Sequence, residues 1–376
     1  MALVDYLHSL AFYDGSDLHL ASGVPPGMRR YGALLPLAPE ILTADEVASV
    51  LAEMLSHEAL ERLAMEKNFD FVYETRLPEG QLARFRGSAY LQRNGPSVVM
   101  RRLPAVAPRL DALGLPAVVR SLISYPHGLV VLAGQRGSGK STVMGALVNE
   151  INETRPSHVI TLEDPIEFVH SSAQALINQR QIGRDVDSVA TGLRGALRES
   201  PDVVVIGEMR GPLDVSVALT AAETGHLVLA TMNAPNAARA VDRMIDGFQA
   251  EQQPQIRSVL ADALQAVVVG QLVPRAEGHG LVSITEVLIV TPSVTTLIRE
   301  GRTHLFGNAL DTGRKVGMRT FDDSIAEAYS QGLITREEAF KRATNKDIYQ
   351  GRNFQPNFDR PEDVPSDTVE NPTEVS

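Results

Sequence analysis

Four short runs of mainly apolar residues mark the middle of the chain: LVVLA (129–133), HVITL (158–162), VVVIG (203–207) and LVLAT (227–231). Segments long enough to form helices separate these runs. An unbroken apolar run of this length is typical of a strand in a parallel sheet that is covered on both faces. From about residue 117 onward the pattern therefore predicts an α/β core.

Residues 1–103 follow a different pattern, in which helix and strand signals are mixed. After an amphipathic opening and short strand-like runs, a helix is predicted to begin at Thr43, with Glu46 placed for a capping box. The segment from Asn68 to Leu103 alternates apolar and polar residues between turn dipeptides, as antiparallel strands with one exposed face do. We predict a small α+β domain over residues 1–103.

Composition along the chain sets the remaining boundaries. Residues 104–116, PAVAPRLDALGLP, are the predicted linker, because prolines suit an exposed connector. Residues 320–349 predict two or three amphipathic helices, split at Gly332, which complete the domain over residues 117–350 as a C-terminal helical cap. Residues 351–376 are acidic, rich in proline and poor in large apolar groups, so we predict a disordered tail.

Charge and cysteine content narrow the function classes. The chain has 46 acidic against 35 basic residues, a net charge of −11, which argues against general binding to nucleic acid or anionic lipid. It has no cysteine, which excludes disulfides and thiolate metal sites. The N-terminal residues lack a signal-peptide pattern, and no apolar run approaches the ~18 residues of a membrane span. We expect a cytoplasmic protein whose contact with a membrane is indirect.

The segment GQRGSGKST (134–142) fits the phosphate-binding pattern G-x-x-x-x-G-K-[ST]. Its glycines let backbone N–H groups surround a phosphate at the N-terminal end of the following helix. Lys140 would contact the β- and γ-phosphates, and Ser141 would ligate Mg²⁺. A fortuitous glycine-rich turn is the alternative, which the flanking strand-like and helix-like runs disfavour. The predicted nucleotide-binding residues are Gly134, Gln135, Arg136, Gly137, Ser138, Gly139, Lys140, Ser141 and Thr142.

Two acidic segments follow. TLEDPIEFVH (161–170) places Glu163 directly after a predicted strand, where open α/β sheets bind ligands and a carboxylate can orient water or hold a metal. LRESPDVVVIGEMR (197–210) ends a strand with Glu208, and Gly207 stands where many such strands have Asp, so metal contact through water is favoured over direct ligation. A solvated acidic turn is the alternative for an isolated segment of this kind. Together with the phosphate-binding segment, the pattern favours ATP hydrolysis over GTPase or kinase chemistry.

These segments, with TAAETGHLVLATMN (220–233), occur in the order and spacing of a known family. The chain resembles the secretion-superfamily ATPases and, within them, the type IV pilus retraction ATPases PilT and PilU. The opening GSDLHLASGVPPGMRRYGAL and the segment TTLIREGRTH (295–304) are similar to further parts of that family. The segments YLQRN and FDDSIAEAYSQGLIT, with the acidic tail, favour the PilU branch.

The resemblance implies a PAS-like N-terminal domain, a RecA-like P-loop ATPase core and a homohexameric ring with nucleotide sites between domains. It implies ATP and Mg²⁺ as cofactors. It also implies retraction of a pilus through an inner-membrane platform protein, with a second retraction ATPase as a further partner and no nucleic acid. The protein would then act at the inner face of the inner membrane, at the pilus base.

The resemblance also assigns roles to single residues. Glu163 would polarise the attacking water, Glu208 would hold the Mg²⁺ shell, and His226 would sense the γ-phosphate or the neighbouring sheet. For His226 the alternative is a hydrogen-bonded structural histidine at a strand start. N-terminal arginines would act as arginine fingers, although each alone fits a solvated strand face better. The candidates are Arg84, Arg86, Arg101 and Arg102.

One position departs from the family. Asn233 stands where the family usually has a second histidine, and an amide can hydrogen-bond but cannot titrate. A weakly active or regulatory ring that assists another retraction ATPase is therefore the first alternative. A secretion or DNA-translocation ATPase is the second, disfavoured because the chain is acidic overall and lacks the cysteines of the extension ATPases' metal site.

Overall fold

The structure is a computed structural model that describes residues 3–30, 33–78, 80, 82–104 and 106–350. The predicted disordered tail, residues 351–376, lies outside the described residues. The chain divides into two compact units, of which the first ends at residue 105 and the second begins at Val106.

The first unit contains a six-stranded antiparallel sheet with strand order β3-β2-β1-β6-β5-β4. Its strands are β1 (Asp17–Ala21), β2 (Gly27–Arg30), β3 (Ala33–Pro36), β4 (Asn68–Arg76), β5 (Leu82–Gln92) and β6 (Gly95–Leu103). Its helices are α1 (Leu3–Phe12), α2 (Ala44–Met54) and α3 (His57–Glu66). The predicted α+β composition of this region is confirmed.

One face of this sheet forms the core of the first unit. Leu18, Phe85 and Met100 are each fully buried there and belong to one apolar cluster with residues of the three helices. The helix α2 begins as predicted, because the Thr43 side chain accepts from the Glu46 N–H and the Glu46 carboxylate accepts from the Thr43 N–H. The opposite face of the sheet carries mainly polar side chains.

The second unit is built on a seven-stranded sheet with strand order β13-β12-β7-β11-β10-β8-β9. Its strands are β7 (Gly128–Ala133), β8 (His158–Glu163), β9 (Leu176–Gln181), β10 (Val203–Ile206), β11 (Leu227–Met232), β12 (Leu264–Pro274) and β13 (Leu281–Ile289). Neighbouring strands are parallel except β13, which is antiparallel to β12. Every residue of β7, β10 and β11 is buried, as expected for central strands covered on both faces.

Helices follow most of these strands and cover the sheet. They are α4 (Ala117–Ser121), α5 (Lys140–Thr154), α6 (Val189–Ala196), α7 (Pro212–Glu223), α8 (Ala237–Asp246), α9 (Gln253–Ala263), α10 (Pro292–Arg299), α11 (Phe306–Thr312), α12 (Phe321–Ser330) and α13 (Arg336–Arg342). Short 3₁₀ turns occupy Leu110–Leu113, Leu122–Ser124, Thr303–Leu305, Arg314–Val316 and Asp347–Tyr349. Leu110, within the predicted linker, is buried in the main core of this unit.

The C-terminal helices pack on one end of the sheet, as predicted. Ile325 of α12 and Phe340 of α13 share a cluster with Val273 and Ile284 of the β12–β13 pair. Gly332, at a left-handed φ of 69°, separates the two helices. Within the described part of the chain, no helix combines the length and apolar character needed to cross a membrane.

Candidate nucleotide-binding and hydrolysis site

The P-loop (residues 134–142) leads from the end of β7 into α5. Gly139, the residue before the helix, has a left-handed φ of 87°, which a side-chain-bearing residue adopts only with strain. Gly134 is required for space, because a Cβ there would lie 2.2 Å from Ser138 Oγ and 2.6 Å from the Gly270 carbonyl. The loop is thus folded tightly at the carboxyl edge of the sheet, with the N-terminal turn of α5 next to it.

Lys140 lies at the base of this loop. Its Nζ donates to the carbonyl oxygens of Gly134 and Gln135, both at 2.8 Å. Burial lowers the pKa of Lys140, while the carboxylates of Glu208 and Glu167 act in the opposite direction. The two carboxylates therefore lie near enough to the P-loop lysine to interact with its charge.

The loop fits a nucleotide phosphate. Ser138 Oγ is buried and has no hydrogen-bond partner among the described residues, which leaves a donor available at the centre of the loop. The hydroxyls of Ser141 and Thr142, in the first turn of α5, also have no partner within the described part of the chain. A cavity of about 220 Å³ adjoins the loop, and its lining includes Gln135, Arg136, Gly137, Ser138, Gly270 and Leu272.

Glu163, the last residue of β8, is held by three hydrogen bonds. Thr161 Oγ1 donates to its Oε1 at 2.6 Å and Gln179 Nε2 donates to the same atom at 3.0 Å. The backbone N–H of Glu167 also donates to the carboxylate. Burial raises the pKa of Glu163 although these donors lower it, and the charge of Glu167 raises it further. A fixed carboxylate in a poorly solvated position is suited to accept a proton.

Glu208 follows β10 at the same edge of the sheet. Arg210 joins it to the acidic segment, because Arg210 Nε contacts Glu208 Oε2 at 2.9 Å and Nη1 contacts Asp164 Oδ2 at 3.0 Å. Gly207 is fixed between neighbouring strands, since its N–H donates to the Leu162 carbonyl and its own carbonyl accepts from Thr231 Oγ1. A Cβ at residue 207 would lie 3.1 Å from Glu163 Cα. A side chain at residue 207 would therefore crowd the backbone of β8 beside Glu163.

Asn233 follows β11 and also lies at this edge. Its backbone carbonyl accepts from Arg243 Nη1 of α8 at 2.7 Å. A cavity of about 500 Å³ opens beside it, and its lining includes Arg210, Asn233, Arg239, Asp242 and Arg243. The departure from the family pattern therefore lies in the same cavity as Arg210.

The comparisons with known proteins agree with this geometry. Residues 46–279 match the family described as type II/IV secretion system protein. The chain belongs to this family. It is 37% identical to the type IV pilus retraction ATPase PilT of Pseudomonas aeruginosa over 91% of this chain and 98% of that protein, and 36% identical to PilU of that organism over 88% and 85%. The crystal structure of the pilus retraction motor PilT with bound ADP has a TM-score of 0.83 and 34% identity, covering 92% of this chain and 98% of that one.

Membership of the family confirms the α/β ATPase fold and the binding of a nucleotide, whereas the P-loop residues as the binding segment stay a prediction. The predicted relation to the PilT and PilU retraction ATPases is confirmed as well. The two identities are nearly equal, so the PilU branch stays a prediction.

His226 lies apart from the P-loop of its own chain. His226 precedes β11, whereas the P-loop follows β7, and the parallel register pairs Leu227 with Gly128 and Met232 with Ala133. His226 therefore lies at the amino edge of the sheet, the length of a strand, roughly 17–20 Å, from the P-loop of its own chain. Its ring Nδ1 contacts Thr224 Oγ1 at 3.2 Å and the Ala221 carbonyl at 3.1 Å. In this chain it is a hydrogen-bonded histidine at a strand start, and its role in sensing a γ-phosphate or the neighbouring sheet stays a prediction.

The predicted arginine fingers do not form one cluster. Three of them share the polar face of the first unit's sheet, and each is paired with a carboxylate: Arg84 with Glu74, Arg86 with Asp70 and Arg101 with Asp17. Arg102 lies opposite Phe85 in the register and so belongs to the face that carries the core. Action of any of the four on a nucleotide stays a prediction.

Sequence reasoning missed three residues that the structure places at this site: Arg210, Thr161 and Gln179. Arg210 could have been found from its position two residues after Glu208. Thr161 was a strand residue with no separate signal. Gln179 lies in LINQRQ, a segment that carries no strand-like apolar run.

Proposed function

We propose that this chain is a hexameric, cytoplasmic ATPase that hydrolyses ATP to drive retraction of a type IV pilus. The observation that carries the proposal is the meeting, at one edge of one sheet, of a P-loop lysine with two carboxylates in different environments. Glu163 is partly desolvated and hydrogen-bonded, whereas Glu208 is paired with an arginine. The names of the related proteins supply the process to which the hydrolysis is coupled.

The residues of the P-loop bind the substrate ATP. Backbone N–H groups and Lys140 neutralise the phosphate charge, and the N-terminal turn of α5 adds its favourable dipole. Glu163 orients a water molecule and accepts its proton as the water oxygen forms a bond to the γ-phosphorus. The bond between that phosphorus and the β–γ bridging oxygen breaks, so ADP leaves as product with inorganic phosphate.

The same residues fit Mg²⁺, which would be held by Ser141 and, through water, by Glu208. When bound, the metal would neutralise charge on the phosphates. The exposed hydroxyl of Ser141, which has no partner among the described residues, and the half-buried carboxylate of Glu208 are hard oxygen donors of the kind that Mg²⁺ prefers. Arg210 supplies a positive charge between Glu208 and Asp164. It keeps the acidic segment and the end of β10 together at the mouth of the site.

Hydrolysis becomes motion if each cycle opens and closes the first unit on the second, within a ring of identical chains. Such a ring would turn a pilus platform protein in the inner membrane, from its cytoplasmic side. The chain's negative charge fits contact with a protein better than contact with anionic lipid. Arginines of the first unit are the candidates to act at a neighbouring nucleotide.

A second candidate function rests on Asn233. An amide in place of the family's histidine removes a titratable group from the cavity that Arg210 lines, so the ring could serve mainly to assist another retraction ATPase. A bacterial strain that lacks every other retraction ATPase separates the two functions. Retraction driven by this chain alone supports the motor, whereas retraction that requires a second active ATPase supports the assisting ring.

The substitution Glu163→Gln tests the hydrolysis mechanism. The amide keeps the shape of the side chain and can still accept from Thr161 and Gln179, but it cannot take a proton from water. We expect kcat to fall by about 10²–10⁴-fold, while ATP binding measured by equilibrium titration is retained.

The matched control is Glu199→Gln, the same change at an exposed carboxylate that pairs with Arg180. The control should hydrolyse ATP at the wild-type rate. Turnover near the wild-type level in Glu163→Gln would contradict the assignment of Glu163 as the base.

A further inference from the structure

The edge strand β9 presents a polar side chain, Gln179, to Glu163, the proposed base. In the parallel register of β8 and β9, Thr161 lies opposite Gln179 and Glu163 lies opposite Gln181. Because side chains two residues apart on a strand share a face, Thr161, Glu163 and Gln179 all lie on the same face of the sheet. This arrangement brings two neutral hydrogen-bond donors to the carboxylate of Glu163.

Gln179 is fixed at both ends of its amide. Its Nε2 donates to Glu163 Oε1 at 3.0 Å and to the Phe168 carbonyl at 2.8 Å. Its Oε1 accepts from the backbone N–H of His170 at 2.8 Å. The backbone N–H can only donate and the backbone carbonyl can only accept, so the amide has one consistent orientation, with Nε2 toward Glu163.

Thr161 completes the arrangement. Its hydroxyl is buried and donates to the same Glu163 oxygen at 2.6 Å. Two donors on Oε1 fix the rotation of the carboxylate. Gln179 adds a second function that Thr161 lacks, because it also fastens the segment 168–170, which follows the base in sequence.

We propose that Gln179 is a positioning residue for hydrolysis: with Thr161 it holds the Glu163 carboxylate in one orientation and favours its ionised form. The inference rests on the proposed function, in which Glu163 accepts the proton of the attacking water. A neutral hydrogen-bond donor can hold the carboxylate without adding a charge that would interact with the phosphates of ATP.

Burial disfavours the ionised form of Glu163, and hydrogen-bond donors are the main neighbouring groups that favour it. Glu167, from the segment after β8, is the charged group that acts on Glu163, and it disfavours ionisation. The neighbouring strands present Gln179 and Gln181 from β9 and Gly207 after β10, none of which titrates. Removal of a donor should therefore raise the pH at which the base loses its proton.

The experiment measures kcat and KM for ATP against pH in the full-length protein. Gln179→Met removes the donor and both contacts to segment 168–170 with little change in volume. Thr161→Val removes only the donor to Glu163, so it separates the effect on the base from the effect on the segment. The control, Asn178→Ala, changes the neighbouring amide of β9, which lies on the opposite face and contacts His158 Nε2 instead.

Both Gln179→Met and Thr161→Val should move the acid limb of the kcat profile upward by about one pH unit, the scale of one lost hydrogen bond to a charged group. On that limb kcat falls about tenfold, whereas KM for ATP stays within about twofold. Asn178→Ala should keep the wild-type profile.

Two results would overturn the inference, and they are distinguishable. If Gln179→Met lowers kcat or thermal stability but leaves the acid limb in place, the residue only supports the segment, and the base assignment is untouched. If Glu163→Gln, assayed in parallel, hydrolyses ATP like the wild type, then the proposed base and its positioning residue fail together.

Discussion

The two edges of the seven-stranded sheet use polar residues for opposite purposes. At the amino edge, polar groups close local hydrogen bonds: the Asp202 carboxylate accepts from the His158 N–H at 2.7 Å, and the His226 carbonyl accepts from the Gly128 N–H at 3.0 Å. At the carboxyl edge, Ser138 Oγ has no partner among the described residues, and burial shifts the pKa of both Lys140 and Glu163 toward the uncharged form.

The difference shows which edge of the sheet keeps polar groups available for binding and chemistry. A polar group that is satisfied by its neighbours contributes to stability and has little left to offer a ligand. A buried group that lacks a partner, or that is held charged against its surroundings, costs stability until a ligand or a reaction uses it. Whether a polar residue stabilises the fold or remains available to a ligand depends on the end of the strand at which it lies. It does not depend on whether the residue is a histidine or a carboxylate.

The largest expected effect is at the carboxyl edge. Lys140→Ala removes the ammonium group at the start of α5, next to the phosphate-binding loop, and we expect kcat/KM for ATP to fall by about 10³-fold. The exposed Lys341→Ala, in α13, is the control and should retain wild-type hydrolysis. A decrease of less than about tenfold for Lys140→Ala would show that the P-loop is not the site of hydrolysis.

A smaller effect is expected on the stability of the fold, which the buried carboxylate of Glu163 lowers. Its pKa is raised in the folded chain, so the folded state binds the extra proton, and stability declines as the pH rises from the ordinary glutamate value through the folded one. Glu163→Gln removes this cost. We expect its Tm at pH 8 to exceed that of the wild type by about 2–4 °C, with the difference vanishing below about pH 4. Equal Tm values for the variant and the wild type across this pH range would mean that the ionised carboxylate of Glu163 does not destabilise the fold.

The smallest effect on turnover is expected at the amino edge. His226→Ala should lose about 0.5–1.5 kcal/mol of unfolding free energy, because its contacts with Thr224 and Ala221 disappear. The kcat measured on the folded protein should stay within about twofold of the wild type. A large loss of kcat that depends on protein concentration would instead place His226 at a site formed between chains.

The apolar runs predict β7, β8, β10 and β11 to within one residue at each end. They succeed because a strand buried on both faces has no polar positions to hide the signal. The same criterion fails for β9, an edge strand with the polar sequence LINQRQ, and for β12 and β13, where polar residues interrupt the runs. Gln179 was missed for this reason.

The candidate site was predictable where the chemistry is local in sequence. The P-loop, Glu163 and Glu208 each follow a predicted strand, and parallel strands bring their carboxyl ends together. The predicted role of His226 came from the family resemblance, and its position before a strand does not by itself indicate that role. The ion pairs of Arg84, Arg86 and Arg101 depend on sheet register, which the alternation of apolar and polar residues does not specify.

Gly207 also constrains how this site can evolve or be redesigned. A side chain there meets the backbone of the strand that carries the base, at 3.1 Å from Glu163 Cα and 3.2 Å from the Leu162 carbonyl. An acidic side chain at residue 207 would therefore require the backbone of β8 to shift by a few tenths of an ångström beside Glu163. The effect of a carboxylate at 207 on ATP turnover should then depend on whether β8 can make this shift while Glu163 keeps its position, so substitutions at 207 and in β8 are expected to be epistatic.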